Sequence, residues 1–576
     1  MLNLRAIYLT ACTFFSVAMG FSGGLPEQAG ENEEQERPYY LELLQFLREG
    51  DSVRPRSPRV HPVSTVYNRE APVPPQCYTR TEGMYNPCYV CHQDQLPGRE
   101  NVMNDADLQE AYSFSDLGMT NHWKNLFEDR TERVAKISDA EILTYISQDN
   151  YSELAPRLRE AAFKGWIPDL KNLPEGLDAF DAQGFAKDGS HWVAFNFKPF
   201  PSTFWPCNGS TDDVMIRLPE AFRTDSKGGF SADIYKANLA IVEAKIKGLA
   251  EIECLPVDER GIGRDLNGDS ELKVIERITK CDSFVGAAES KYPDTHIYPD
   301  GTEFLHTVRY VGVSQNGEIG VSRRMKEVRY MRKWRGYSKP FYARRYQLEA
   351  YDKEAGNLPG YQNIGDHGLD NGIGWSVQGF IEDRKGRLRV STFEENLFCM
   401  GCHSSVGSTI DKTFSFPRKI DGAKGWGYIN LKGMPDAPSK GEQRGEIATY
   451  LERVGGGSEF RNNEEMATRW FKADGSVDQA KVANARDVYE LITPSRERAL
   501  FLNKAYKTIV EDQDYMFGRD AVIKPPQNVY TFIDNEKTPT LPEDKIYKYD
   551  ILLDWPKPQQ NSARLSPAEQ KDAQKN

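Results

Sequence analysis

Apolar positions along the chain change their spacing several times, and the spacing predicts the elements. From 38 to 48, Leu41, Leu44, Phe46 and Leu47 sit at helical intervals. Helical patterns recur at Asp105–Tyr112, Asp139–Ile146 and Tyr151–Lys164. Thr120 or Asn121 can cap a helix that shows Trp123, Leu126 and Phe127 on one side. From about Trp166 the pattern turns to alternation. Gly189–Phe197 places His191, Val193, Phe195 and Phe197 opposite Trp192, Ala194 and Asn196, and Thr302–Val313 repeats the pattern with Phe304, His306, Val308 and Tyr310. A long amphipathic helix is expected over Asp233–Glu251. A hairpin follows, Trp375–Ile381 with Leu388–Thr392, joined at Asp383-Arg384-Lys385-Gly386. From Gly441 to Gln513 the pattern is mostly helical, broken at Gly455-Gly456-Gly457, and Val529–Ile533 and Tyr547–Leu553 read as strands.

These elements predict an α+β chain with helical segments around a mainly β central region and a mostly helical C-terminal part. The expected divisions are a signal peptide at 1–20, a Pro/Arg-rich linker at 21–75, a first cofactor-bearing segment at 76–165 and a β-rich centre at 166–345. A second cofactor-bearing segment follows at 346–445, then helices at 446–555 and a frayed tail at 556–576. A length of 576 residues exceeds one core, and 39% hydrophobic content supports packed domains.

Two pentapeptides change the picture: Cys88-Tyr89-Val90-Cys91-His92 and Cys399-Met400-Gly401-Cys402-His403. Cys-X-X-Cys-His is an attachment sequence for covalent haem, with the thiols as thioethers and the imidazole as axial iron ligand. A structural zinc or a dithiol redox pair could also use Cys-X-X-Cys. The histidine following both pairs, in a chain with only 8 histidines, favours haem. On these motifs the chain resembles c-type cytochromes with two covalent haems and, in haem count and export, di-haem cytochrome c peroxidases and rubber oxygenases. The separation of 311 positions from His92 to His403 departs from the latter. The resemblance implies two haem c groups. Candidate distal ligands are His122, 30 residues after His92, together with His306 and Met434, which lies beside Pro435 and 31 residues after His403. It further implies an exported electron-transfer protein with redox partner proteins. The alternatives are a haem oxidoreductase with one open iron, or a haem-bearing subunit of a respiratory complex.

A second constellation starts at Asp265. Taking it as position 1, oxygen ligands fall at Asp265, Asn267, Asp269, the Glu271 carbonyl and Glu276, the spacing of a calcium loop. Ser270 stands where the turn normally has Gly. The net charge of −12 argues against nucleic acid as a partner, although Arg323–Arg345 is strongly basic.

Arg5 followed by an apolar run from Ala6 to Met19 reads as a secretory signal, which places the protein in the bacterial periplasm or outside the cell with no transmembrane segment in the mature chain. Leu9-Thr10-Ala11-Cys12 also resembles a lipoprotein box. With only six residues between Arg5 and Cys12, cleavage at the small residues near Gly20 is the preferred expectation. An oxidising compartment suits a disulfide among Cys77, Cys207, Cys254 and Cys281, with Cys254–Cys281 the expected pair and buried thiols the alternative.

Overall fold

The computed structural model describes residues 70–85, 116–201, 204–401, 403, 413–534, 536–542 and 550–556. The expected helices at 38–48 and 105–112, the signal segment, Cys88, Cys91, His92 and Cys402 lie outside the described residues. The α+β expectation holds.

In chain order the strands are β1 (Val193–Ala194), β2 (Thr211–Arg217), β3 (Ile252–Asp258), β4 (Val274–Ile278), β5 (Glu303–Val313), β6 (Ile319–Lys333), β7 (Gln362–Asn363), β8 (Leu369–Asp370), β9 (Trp375–Glu382) and β10 (Leu388–Val390). β3 and β4 pair separately. The others form one antiparallel sheet in the order β1-β2-β5-β6-β9-β8-β7, with β10 added to β9. Its spine is the β5–β6 hairpin. Gly317 closes the turn at φ +84°, a left-handed conformation that costs glycine no Cβ clash. The β9–β10 turn uses Gly386 in the same way, and Asp383 Oδ1 accepts the Lys385 and Arg387 N–H groups at 2.9 Å each.

Side chains alternate across this sheet, so neighbours in sequence enter different cores. Ile216, Phe304 and Trp375 pack with the helix α2 side, whereas Met215, Leu305 and Phe380 pack with Trp192, Leu154 and Leu158. The main helices are α1 (Asp139–Ser147), α2 (Ala232–Lys247), α3 (Lys339–Glu354), α4 (Phe393–Met400), α5 (Glu446–Val454) and α6 (Arg496–Asp512). α2 starts because Ser231 accepts the Ile234 N–H and stops at Gly248, φ +67°. α6 and α1 pack together against Tyr310 and Ile381.

Several boundaries differ from the sequence pattern. Only Val193–Ala194 of the expected 189–197 strand joins the sheet; Phe195 and Phe197 make single bridges to Trp426 and Lys419. The expected helix at 151–164 is restricted to Leu154–Glu160, and that near Trp123 is a single 3₁₀ turn, Lys124–Phe127. Val529 and Leu553 make isolated bridges. The expected Cys254–Cys281 disulfide is absent: Cys207, Cys254 and Cys281 are buried free thiols. Burial pushes the thiol pKa of Cys254 up to about 12 and that of Cys281 up to about 11.

Candidate functional site

The second pentapeptide is presented by α4, whose start is fixed by a reciprocal cap. Thr392 Oγ1 accepts the Glu395 N–H at 3.1 Å while Glu395 Oε2 accepts the Thr392 N–H at 2.9 Å. Glu395 also binds the Arg389 guanidinium, both groups being buried. Asn396 Oδ1 accepts the Gly379 N–H at 3.0 Å and ties the helix to β9. α4 therefore carries Cys399 to a set position at its end. The His403 N–H donates to the Cys399 carbonyl at 3.1 Å, so these two residues stand one helical turn apart. Gly401 faces Pro74 so closely that a Cβ would lie 2.5 Å from the proline Cγ.

Around this turn the walls are aromatic and cationic. His403 meets Phe414 edge-on at 5.4 Å, and Phe414 meets Phe200 at 5.5 Å. Phe398, next to Cys399, lies under the Arg519 guanidinium at 4.5 Å and beside Trp123 at 5.2 Å. Arg329, on β6, stands over Phe204 at 5.4 Å and Phe398 at 5.9 Å, and the Cys399 thiol acts on it electrostatically. Arg329 and Arg519 share Glu327. Burial opposes ionisation of Glu327, but the two guanidiniums overcome it and hold its carboxyl down to about 2. Asp212 also feels Arg329, and Glu395 feels Arg519, so each guanidinium is met by more than one carboxylate.

The expected distal ligands divide. His306 pairs across the sheet with Arg329, lies 5.9 Å from Phe204, and has its Nε2 3.3 Å from Asp212 Oδ2. Asp212 also borders a cleft of about 380 Å³ walled by Pro174, Leu177, Ile319, Leu431 and Tyr489. Half-buried His122 is hydrogen-bonded through Nε2 to the Met516 carbonyl at 2.7 Å and meets Trp123 edge-on at 5.1 Å; burial lowers its pKa. Met434 belongs elsewhere: it is 2% exposed in the C-terminal core with Trp205, Tyr450 and Leu451. Sequence reasoning placed Arg329 within a basic stretch and missed Arg519, Glu327 and Phe398. Thr392-X-X-Glu395 was the local signal that could have revealed α4.

The acidic loop at 265–276 is closed by its own partners. Asp265 Oδ1 accepts the Gly268 N–H at 2.6 Å, and its Oδ2 meets Lys280 Nζ at 2.8 Å. Asp269 pairs with Lys273 at 2.6 Å, which together with N–H donors holds its carboxyl at about 2. Asn267 donates to Asp269, and the buried carboxylate of Glu259 accepts the Leu266 N–H at 2.6 Å. Ser270 adopts φ +69°, the left-handed conformation that the turn demands. Glu271 follows in the loop and Glu276 lies on β4. Among the described residues no three His, Cys, Asp or Glu gather as a metal-holding group.

A family model described as a "-like lipoprotein" matches residues 60–490. An uncharacterized lipoprotein of Aquifex aeolicus (strain VF5) is 32% identical over 519 residues, covering 80% of this chain and 86% of the relative. No solved structure matches. These matches overturn the expected membership among c-type cytochromes. With it fall the electron-transfer function, the haem-oxidoreductase alternative and the respiratory-subunit alternative that rested on it. They also reverse the preference for simple signal cleavage over a lipoprotein box. The chain belongs to the lipoprotein family that this model describes.

Proposed function

We propose that this chain is an exported protein held at a membrane through acylation of Cys12, with its folded body displayed on that surface. The observation that carries the reading is Leu9-Thr10-Ala11-Cys12 behind Arg5, in a chain of a lipoprotein family. Among the described residues no helix is long and apolar enough to cross a membrane, so attachment there would fall to the lipid. Metabolic labelling with a fatty-acid probe tests it. The wild-type chain should take up label and the Cys12→Ser chain should not; an unlabelled wild-type chain overturns the reading.

The cofactor is a question separate from family and role. We propose covalent haem c at Cys88, Cys91 and His92 and at Cys399, Cys402 and His403. Two observations at the second site support a fit: the one-turn spacing of Cys399 and His403, and the aromatic walls with the Arg329 guanidinium over Phe204 and Phe398. When bound, the group would supply an iron centre; the chain's residues would hold it and keep water from one face. A pyridine haemochrome assay on exported chain should give two haems, and Cys399→Ala with Cys402→Ala should give one. Zero haem in the wild-type chain overturns this.

A further inference from the structure

Glu70 and Ala71 sit against the segment that follows α3. Glu70 bridges Gly360, and the Ala71 N–H donates to the Pro359 carbonyl at 2.9 Å. Ala71 is buried there beside Tyr361. Pro359 follows the end of α3 by only five residues.

α3 is two-sided. Tyr342 and Tyr346 are buried with Ile297 and Ile373. On the outer side Arg344, Leu348 and Tyr351, spaced i, i+4 and i+7, are all exposed, as is Arg345. Leu348 is 44% and Tyr351 57% exposed, and just upstream Trp334 is 45% exposed. Arg335, which stacks on Tyr337, and Lys339 are exposed as well. This surface therefore gathers four exposed cations and three exposed large apolar side chains, against exposed Asp300 and Asp352 and half-buried Glu349, in a chain of net charge −12.

We propose that the Trp334–Tyr351 surface lies on the anionic bilayer to which the chain is tethered; the inference rests on acylation of Cys12. Charge complementarity selects the occupant, because each Lys or Arg near an anionic leaflet strengthens binding about fivefold. Trp334 and Tyr351 carry an apolar ring and a polar edge, the combination that settles at the headgroup level. The 57 residues between Cys12 and Glu70 span up to about 200 Å when extended, so the tether alone imposes no orientation. It does keep the patch at high effective concentration near the bilayer, where a modest surface attraction suffices. Glu70 lies against the segment that follows α3, so docking needs no detour around the molecule.

The test is amide hydrogen exchange on the full acylated chain in vesicles of phosphatidylcholine, with or without phosphatidylglycerol. Amides of 334–351 should exchange at least about fivefold more slowly on the anionic vesicles, and 0.5 M salt should reverse the slowing. Arg344→Glu with Arg345→Glu should abolish it while the chain still floats with the vesicles. Equal exchange on both vesicle types overturns the inference and leaves the tether intact. A wild-type chain that does not float with either vesicle overturns the tether itself.

Discussion

Arg519 reaches the same Glu327 oxygen, Oε2, that Arg329 holds from its own strand, each at 2.9 Å. The two residues are 190 apart in sequence, so this carboxylate pins the segment after α6 to the middle of the sheet beside Cys399. Glu327→Gln removes the anion and leaves two buried guanidiniums facing each other. A loss of about 3–5 kcal/mol is expected, measured by urea unfolding at pH 7. Glu327 has a folded pKa depressed to about 2, against an ordinary 4.5. Its stabilisation is therefore present above pH 4.5 and lost as pH falls towards 2. The Gln variant should lose less stability over that window than the wild-type chain; parallel acid limbs would refute the assignment.

How far the fold could be read in the sequence depended on whether period and burial agreed. β5, the β9–β10 hairpin, α1 and α2 stood close to their expected bounds because the apolar positions of each keep one regular period over most of its length. The 189–197 alternation is equally regular, but Trp192 and Phe195 enter two different cores without a neighbouring strand for most of the segment. α4 was hidden because Glu394, Glu395 and Asn396 are buried alongside Phe393 and Leu397, which erases the amphipathic contrast. At the site, the spacing showed Cys399 and His403. It could not show Arg519 or Trp123, which arrive from 120 or more residues away on other elements. The family was not legible because its match runs over residues 60–490, in which only the two Cys-X-X-Cys-His pentapeptides and the acidic loop stood out as motifs.

The α4 cap offers a graded test. Thr392→Ala removes one acceptor from the helix start and should cost about 1 kcal/mol. Glu395→Ala removes the reciprocal acceptor and also strands buried Arg389, so it should cost about 3 kcal/mol or more. Thermal unfolding of both variants checks the order; equal losses would mean that the Arg389 pair contributes nothing beyond the cap.

Gly401→Ala would drive a methyl group to within 2.5 Å of Pro74 Cγ. The segment from Glu70 to Pro75 lies against Gly360 and Gly401, and its release is less costly than moving α4. Proteolysis near Pro72 should accelerate severalfold, and stability should fall by about 1–3 kcal/mol. A variant with unchanged cleavage would show that the contact is not a constraint.

Lys326 is the most unusual titrating group of the sheet. It is 1% exposed, its Nζ donates to the Gly209 carbonyl at 2.7 Å and to Ser210 Oγ at 3.1 Å, and it stands 4.0 Å from the Tyr506 ring centre. Burial lowers its pKa to about 7, with Glu327, Glu382 and Asp520 opposing incompletely. An unfolded lysine keeps its proton to about pH 10.4. Between pH 7 and 9 the unfolded chain therefore binds more protons at this site than the folded one, and the contribution of Lys326 to stability rises with pH. Below pH 7 both states are protonated and the contribution is flat. Replacing Lys326 by Met removes the titration and keeps much of the volume. The stability difference, wild type minus Lys326→Met, should grow by about 2 kcal/mol from pH 7 to 9. Lys419, held at about 8 by burial, titrates in both chains and cancels. Urea unfolding at pH 6, 7, 8 and 9 reads the difference directly. If it stays constant, the amine is charged throughout and its hydrogen bonds and Tyr506 contact offset the full cost of burial.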